Sequence, residues 1–271
     1  MMVSFKRAIG MGMLVALGLT VASAWATPIP DSAVVNLRLW NDDSDSILTS
    51  GNLYPSSIYI QDLKLDGDGT GGEYANRHNF RLSDNGGISA MNLMNGDGFA
   101  FFADVTFSGT GNGEGGLNVS PWWSQNFDGE FMLNTASGEI AIFGGRLPFY
   151  SFTVQQGLTY TKGTTVREGF VYNPHSLTSA DPATIQYWLV QGGNWYTSGA
   201  LPFDEGNPAE GYGSWGMLDY AQVGGTFQPY IVVGDPNNGL RVDFNNMVFT
   251  PEPAALALLG ILSAFALRRG R

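Results

Sequence analysis

Short stretches in which apolar and polar residues alternate are the feature of this sequence that most restricts its fold. In residues 99–107 every odd-numbered position is apolar, while the even-numbered positions include Asp104 and Thr106. A two-residue period is typical of a β-strand with one side buried. Similar stretches recur between residues 28 and 250, separated by clusters of Gly, Asn and Asp that favour turns. We find no helical period longer than two turns there, so we predict an all-β fold with two antiparallel sheets packed as a β-sandwich.

The spacing of these stretches predicts a single domain over residues 27–249, because no Pro- or Ser-rich linker divides it. The predicted strands are residues 34–40, 58–65, 99–107, 129–133, 140–143, 149–154, 164–172, 184–190, 217–222, 230–233 and 241–249. Residues 42–57 and 192–216 are predicted as loops of unusual length. His78 and His175 fall in polar loops of this scheme.

Composition excludes several kinds of site. The chain has 0 Cys, which rules out disulfides, cysteine nucleophiles and thiolate metal ligands, and only 2 His, which argues against a multi-histidine metal site. Residues 27–250 keep 8 basic and 23 acidic residues, a net charge of −15. Nucleic acid is therefore not an expected partner, since phosphate binding needs clustered Lys and Arg.

The N-terminus has the three parts of a secretory signal. Lys6 and Arg7 precede an uncharged apolar stretch at residues 11–21, and small residues at 22–26 fit a cleavage site. We predict a signal peptide over residues 1–26, handled by the Sec translocon and signal peptidase. The alternative is a buried N-terminal helix.

The C-terminus, residues 250–271, also has three parts. Pro251, Glu252 and Pro253 come first, and the apolar stretch 254–267 follows without a charge. Arg268 and Arg269 begin a basic end. The apolar stretch is shorter than the roughly 20 residues of a usual membrane helix. Flanking arginines that reach the headgroups would still allow it to serve as a short transmembrane helix, with the arginines on the cytoplasmic side.

This tail resembles the PEP-CTERM sorting signal of exported bacterial proteins. The resemblance implies recognition by an exosortase, a membrane-embedded cysteine transpeptidase that cuts near the Pro-Glu-Pro triplet. It further implies a transient inner-membrane anchor, and then the cell surface or extracellular matrix of a Gram-negative bacterium that makes exopolysaccharide. An ordinary tail anchor is the alternative.

The order of the predicted strands resembles concanavalin A-like and laminin G-like jelly rolls. The segment 115–121, the hairpin 129–143, the strand 164–172 and a closing strand at 242–249 carry this resemblance. It implies a jelly-roll β-sandwich, which the predicted N-terminal signal helix and C-terminal membrane helix would flank.

One acidic stretch is a candidate calcium site. Asp66, Asp68 and Glu73 lie among glycines in an order that resembles the start of a calcium loop, but Arg77 stands where the twelfth-position Glu belongs. The two interpretations are an irregular calcium site and a flexible acidic turn. A second acidic cluster, residues 42–45, is interpreted as a solvated loop.

Four aromatic residues are candidate sugar-binding residues. Trp195, Tyr196 and Trp215 lie in the predicted loop 192–216, and Trp123 follows Pro121. Exposed aromatic rings offer large flat contact areas on which a sugar ring stacks. The alternative is that these rings cover the end of the sandwich.

Signals of catalysis are weak in this sequence. No run of acids alternates along one strand, as a sandwich glycosidase would need, and only Glu130 and Glu139 fall on neighbouring predicted strands. We therefore expect a non-enzymatic surface or matrix protein that associates with exopolysaccharide. The alternatives are a secreted polysaccharide-acting hydrolase, with its acids drawn from loops, and a purely structural matrix protein.

Overall fold

The computed structural model describes residues 27–66, 74–204, 215–217, 219–235 and 237–251, and the side chain of Trp122 is not among the described groups. Within these ranges the chain forms two seven-stranded sheets whose neighbouring strands are all antiparallel. The first sheet has the strands β1 (Ser32–Asn41), β4 (Asn76–Ser83), β13 (Gln222–Pro229), β6 (Gly113–Ser120), β7 (Glu130–Asn134), β8 (Ile140–Phe143) and β9 (Tyr150–Ser151), in that spatial order. The second has β12 (Asn194–Pro202), β11 (Thr184–Gln191), β10 (Thr165–Asn173), β5 (Phe99–Ser108), β14 (Gly239–Pro251), β3 (Ser57–Leu63) and β2 (Ile47–Leu53). The predicted β-sandwich is confirmed, and its layout is jelly-roll-like.

Aromatic side chains from both sheets fill the space between them. Phe131 of β7 stacks on Phe152 with ring centroids 5.7 Å apart, and it meets the edges of Phe170 and Tyr187 from the second sheet. The five odd-numbered side chains of residues 99–107 are all fully buried, as predicted, but Ala100 and Phe102 on the other side are buried as well, so burial alternates only from residue 103 onward. Such dense contact between the sheets is what makes one domain of many short strands.

Several predicted elements differ from the observed ones. The predicted loops 42–57 and 192–216 contain β2 and β12, so neither is a long unstructured connection. The predicted strand 149–154 is a strand only at β9 (Tyr150–Ser151), because the helix α1 (Phe152–Gln156) begins at residue 152. The Ser151 hydroxyl accepts a hydrogen bond from the Val154 N–H, and Gly157 adopts a left-handed φ of 68° after the last turn, so local capping decides for a helix.

His78 does not lie in a polar loop. It is in β4, fully buried, with its ring stacked on Phe227 and its Nε2 3.1 Å from Asp62 Oδ2. The contact with Asp62 gives the buried ring nitrogen of His78 a hydrogen-bond partner, so the prediction of a solvent-exposed loop is wrong for this residue. His175 is exposed, as predicted.

The two predicted terminal helices lie outside the described residues, as do Glu252, Pro253, Arg268 and Arg269. Pro251 is the last residue of β14, which extends beyond the predicted domain end at residue 249. No helix in the described part of the chain is long and apolar enough to cross a membrane.

Candidate functional site

The side of the first sheet that faces away from the core carries a row of polar side chains. In β4 the residues His78, Phe80 and Leu82 face the core, so Arg77, Asn79 and Arg81 face outward. The strand register places Gly224 and Thr226 of β13 opposite Arg81 and Asn79. The outward side of β4, β13, β6 and β7 is called the polar face below.

Residues 121–129 cross this polar face and are called the covering segment. The Gln125 carbonyl accepts hydrogen bonds from Arg81, including one from Nε at 3.1 Å, and the Asn126 carbonyl accepts from Asn79 Nδ2 at 3.5 Å. The Phe127 carbonyl accepts from Arg77 Nη2 at 2.6 Å. Three neighbouring main-chain oxygens are thus held by three outward side chains of one strand.

The next carbonyl continues the pattern on β6. The Asp128 carbonyl accepts from Asn118 Nδ2 at 2.8 Å and from the Ser120 hydroxyl at 2.6 Å. The polar face therefore presents hydrogen-bond donors from β4 and β6. These donors bind a row of main-chain carbonyl oxygens.

Both arginines of the polar face are deeply buried by this arrangement. Burial lowers the pKa of Arg77 to about 10, and burial together with the nearby Arg77 charge lowers the pKa of Arg81 to about 9. Both remain cations at neutral pH. Arg77 forms an ion pair with Glu130 of β7 and donates from Nη1 to Gln228 Oε1 at 2.8 Å.

An acid–base pair lies at the end of β13 on the same face. The Tyr230 hydroxyl donates to Glu114 Oε2 at 2.5 Å and accepts from Asn134 Nδ2 at 2.9 Å. Burial, and then the hydrogen bond with Glu114, raise the pKa of Tyr230 above its ordinary value. Tyr230, Glu114 and Asn134 are all partly exposed, so a ligand on the polar face can reach them.

The four aromatic residues predicted to bind sugar do not form one platform. Trp195 packs edge-on against Trp188, whose other neighbours Phe102 and Val171 form a small cluster on the outward side of the second sheet. Tyr196 points the opposite way and packs against the main core. Trp215 is half-buried, and its carbonyl accepts from the Ala183 N–H. Trp123 lies in the covering segment, over the other sheet.

The predicted calcium ligands are only partly described. Asp66 is present, whereas Asp68 and Glu73 lie outside the described residues. The structure brings Asp66 together with Asp43 and Asp45, from the cluster interpreted as a solvated loop. Asp43 is 2% exposed, so that interpretation is wrong for this residue.

The two acids considered for catalysis have different surroundings. Glu130 pairs in register with Phe143 and forms the ion pair with Arg77, whereas Glu139 sits at the turn end of the same hairpin. The residues of the polar face were missed as a group. The alternation of Arg77, Asn79 and Arg81 with buried residues was the available signal.

No protein-family model and no curated protein matches the sequence. Among solved structures, the chain is similar to alginate lyase AlgAT5 from polysaccharide lyase family 7, at 11% identity over 82% of this chain and 94% of that one, with a TM-score of 0.47. It is also similar to an alginate lyase from Corynebacterium sp., at 10% identity over 82% and 94% of the two chains, with a TM-score of 0.49. A third is a functionally unknown protein from Saccharomyces cerevisiae, at 10% identity over 76% and 96%, with a TM-score of 0.40.

One expectation from the sequence is corrected here. Two of the similar solved structures bear the name of an alginate lyase, a finding that contradicts the expectation of a non-enzymatic matrix protein.

Proposed function

We propose that the protein binds an anionic polysaccharide on the polar face and cleaves it there. The observation that carries this proposal is the set of donors from Arg77, Asn79, Arg81, Asn118 and Ser120, which already hold a row of carbonyl oxygens. A polysaccharide offers a similar row of oxygens. Two of the neighbours by fold are named as lyases of alginate, an anionic polysaccharide.

The polar face balances Glu114 and Glu130 with Arg77 and Arg81, so it repels an anionic polymer less than the acidic domain as a whole does. Residues 27–250 carry a net charge of −15, so most of the surface repels such a polymer. The polar face places Arg77 and Arg81 on one strand. A guanidinium matches the two oxygens of a carboxylate, so a polymer of uronic acid is the polysaccharide that fits best.

Binding requires the covering segment to leave the polar face. The side chains at its tip, Asn126 and Phe127, are exposed, and the Phe127 ring lies over the Arg77 guanidinium with 5.7 Å to the ring centroid. A bound uronate polymer would replace its carbonyls at Arg77 and Arg81. This exchange keeps the buried guanidinium groups hydrogen-bonded, which limits its cost.

The acid–base pair favours elimination over hydrolysis. In elimination a base removes the proton beside the uronate carboxyl, a carbon–carbon double bond forms, and the glycosidic C–O bond breaks as its oxygen takes a proton. Arg77 would stabilise the charge that builds on the carboxylate, Glu114 would accept the proton, and Tyr230 would supply one. Hydrolysis needs a protonated acid beside a second carboxylate, whereas Glu130 is held in an ion pair with Arg77.

The test is incubation of the mature chain with alginate, with polygalacturonate and with a neutral glucan. We expect reducing ends and the ultraviolet absorbance of an unsaturated uronate to rise together on at least one uronate polymer and on no neutral glucan. Reducing ends without absorbance would contradict elimination. No product from any polymer would contradict the proposed function.

We also propose that the chain is exported and that an exosortase processes its C-terminus. The support is the Pro251–Glu252–Pro253 triplet, which is followed by an apolar stretch and then by a basic end. Changing Pro251 and Pro253 to Ala is expected to leave an uncleaved protein in the inner membrane, as fractionation and immunoblotting would show. The control is Pro202→Ala, an exposed proline at the end of β12, which should be processed normally. Unchanged cleavage of the double variant would contradict the sorting proposal.

A further inference from the structure

Three carboxylates from two separate connections converge beside the sandwich. Asp43 and Asp45 lie between β1 and β2, and Asp66 follows β3. One carboxylate oxygen from each lies within 4.8 Å of the others. Backbone contacts fix the two connections, because Asn76 bonds both the N–H and the carbonyl of Asp43, while the Asp66 carbonyl accepts from the Gly234 N–H.

The Asp43 side chain supplies an independent observation. The residue is 2% exposed, and its Oδ2 has no hydrogen-bond partner in the described part of the chain. An ionised carboxylate buried without a partner is costly, so a native structure normally provides a proton or a cation for it.

The groups packed around the cluster do not provide that cation. Arg38 donates to the carbonyls of Asp43 and Ser46 and to the side chains of Asn41 and Ser46. The neighbouring Asp62 adds negative charge, and its Oδ2 is already held by Asn76 and His78. The Arg38 guanidinium is thus engaged with other oxygens.

We propose that Asp43, Asp45 and Asp66 bind a calcium ion. The ligands are all carboxylate oxygens, which suit a hard divalent cation and not zinc or copper. Asp45 is exposed and Asp66 half-buried, which leaves an open side where water completes the coordination. This site is separate from the polar face and does not depend on the proposed cleavage of polysaccharide.

The test is thermal unfolding of the mature chain at pH 7.5 in EDTA, in excess calcium chloride, and in sodium chloride of equal ionic strength. A concentration of 100 times Kd is expected to raise Tm by about 5–10 °C, and sodium chloride should not reproduce this. Asp43→Asn should abolish the calcium response and, by removing the unpaired carboxylate, raise Tm in EDTA.

Asp45→Asn, at an exposed position, keeps the test decisive if Asp43→Asn folds poorly. This variant should need at least ten times more calcium to reach the same rise in Tm. Asp84→Asn removes one exposed carboxylate elsewhere and is the matched control. The proposal is overturned if calcium leaves the Tm of the unmodified chain unchanged, or if Asp45→Asn and Asp84→Asn respond to calcium alike.

Discussion

Replacing Arg77 by alanine is expected to lower the free energy of unfolding by about 3–5 kcal/mol. Arg77 and Glu130 form an ion pair in which both side chains are more than nine-tenths buried. Without the guanidinium, Glu130 is a buried carboxylate with no counter-charge. Gln228 Oε1 and the Phe127 carbonyl lose a donor as well.

Urea unfolding of five proteins measures this effect: the unmodified chain, Arg77→Ala, Glu130→Met, the double variant Arg77→Met/Glu130→Met and the control Arg241→Ala. The double variant should lose much less stability than Arg77→Ala, because it leaves no buried charge behind. Arg241→Ala is the matched control. It removes a partly exposed pair with Asp243 and should cost about 1 kcal/mol or less. Equal losses for Arg77→Ala and Arg241→Ala would contradict this account of the polar face.

Replacing Tyr230 by phenylalanine is expected to lower the turnover of a uronate polymer by about a hundredfold or more. The variant keeps the ring and removes only the hydroxyl that bonds Glu114 and Asn134. Its stability should fall by about 2 kcal/mol at most, because two partly exposed hydrogen bonds are lost. The raised pKa of Tyr230 keeps it protonated through neutral pH, so this hydroxyl should not limit the rate as the pH rises toward 9.

The measurement is the initial rate of unsaturated product formation, with Tyr74→Phe as control. Tyr74 is exposed and carries no role in the proposed chemistry, so its variant should be fully active. A fully active Tyr230→Phe would exclude this tyrosine as the proton donor. That result would leave the proposed binding of the polymer to the polar face untouched, so the experiment tests the role of Tyr230 separately from binding.

Local patterns were sufficient to predict the sandwich but not its polar strand. The alternation in residues 99–107 correctly predicted which side of β5 faces the core. The strands around it also place apolar side chains in that core, so a local pattern is sufficient there. In β4 all eight residues are buried, polar ones included. Arg77, Asn79 and Arg81 are buried by the covering segment, which lies about 40 residues further along the chain. No local sequence pattern can show that a segment so distant in sequence buries these side chains.

The grouping of the candidate site residues could not be predicted from the sequence for a similar reason. Trp195 and Tyr196 are adjacent in one strand, so their side chains must face opposite sides and cannot form one platform. The acidic cluster at residues 42–45 and Asp66 meet only because β1, β2 and β3 bring their ends together. Each site is assembled by pairing between distant strands, which composition and spacing do not reveal.

The central claim is that a uronate polymer binds the polar face in place of the covering segment. Hydrogen–deuterium exchange of the Tyr230→Phe variant, which should leave the polymer intact, tests it most directly. With saturating polymer, the amides of Phe127 and Asp128, which donate to the Ser124 carbonyl, should exchange faster, while those of β4 and β13 should exchange more slowly. Unchanged exchange in the first sheet, or protection confined to the strands that carry Trp188 and Trp195, would contradict the claim.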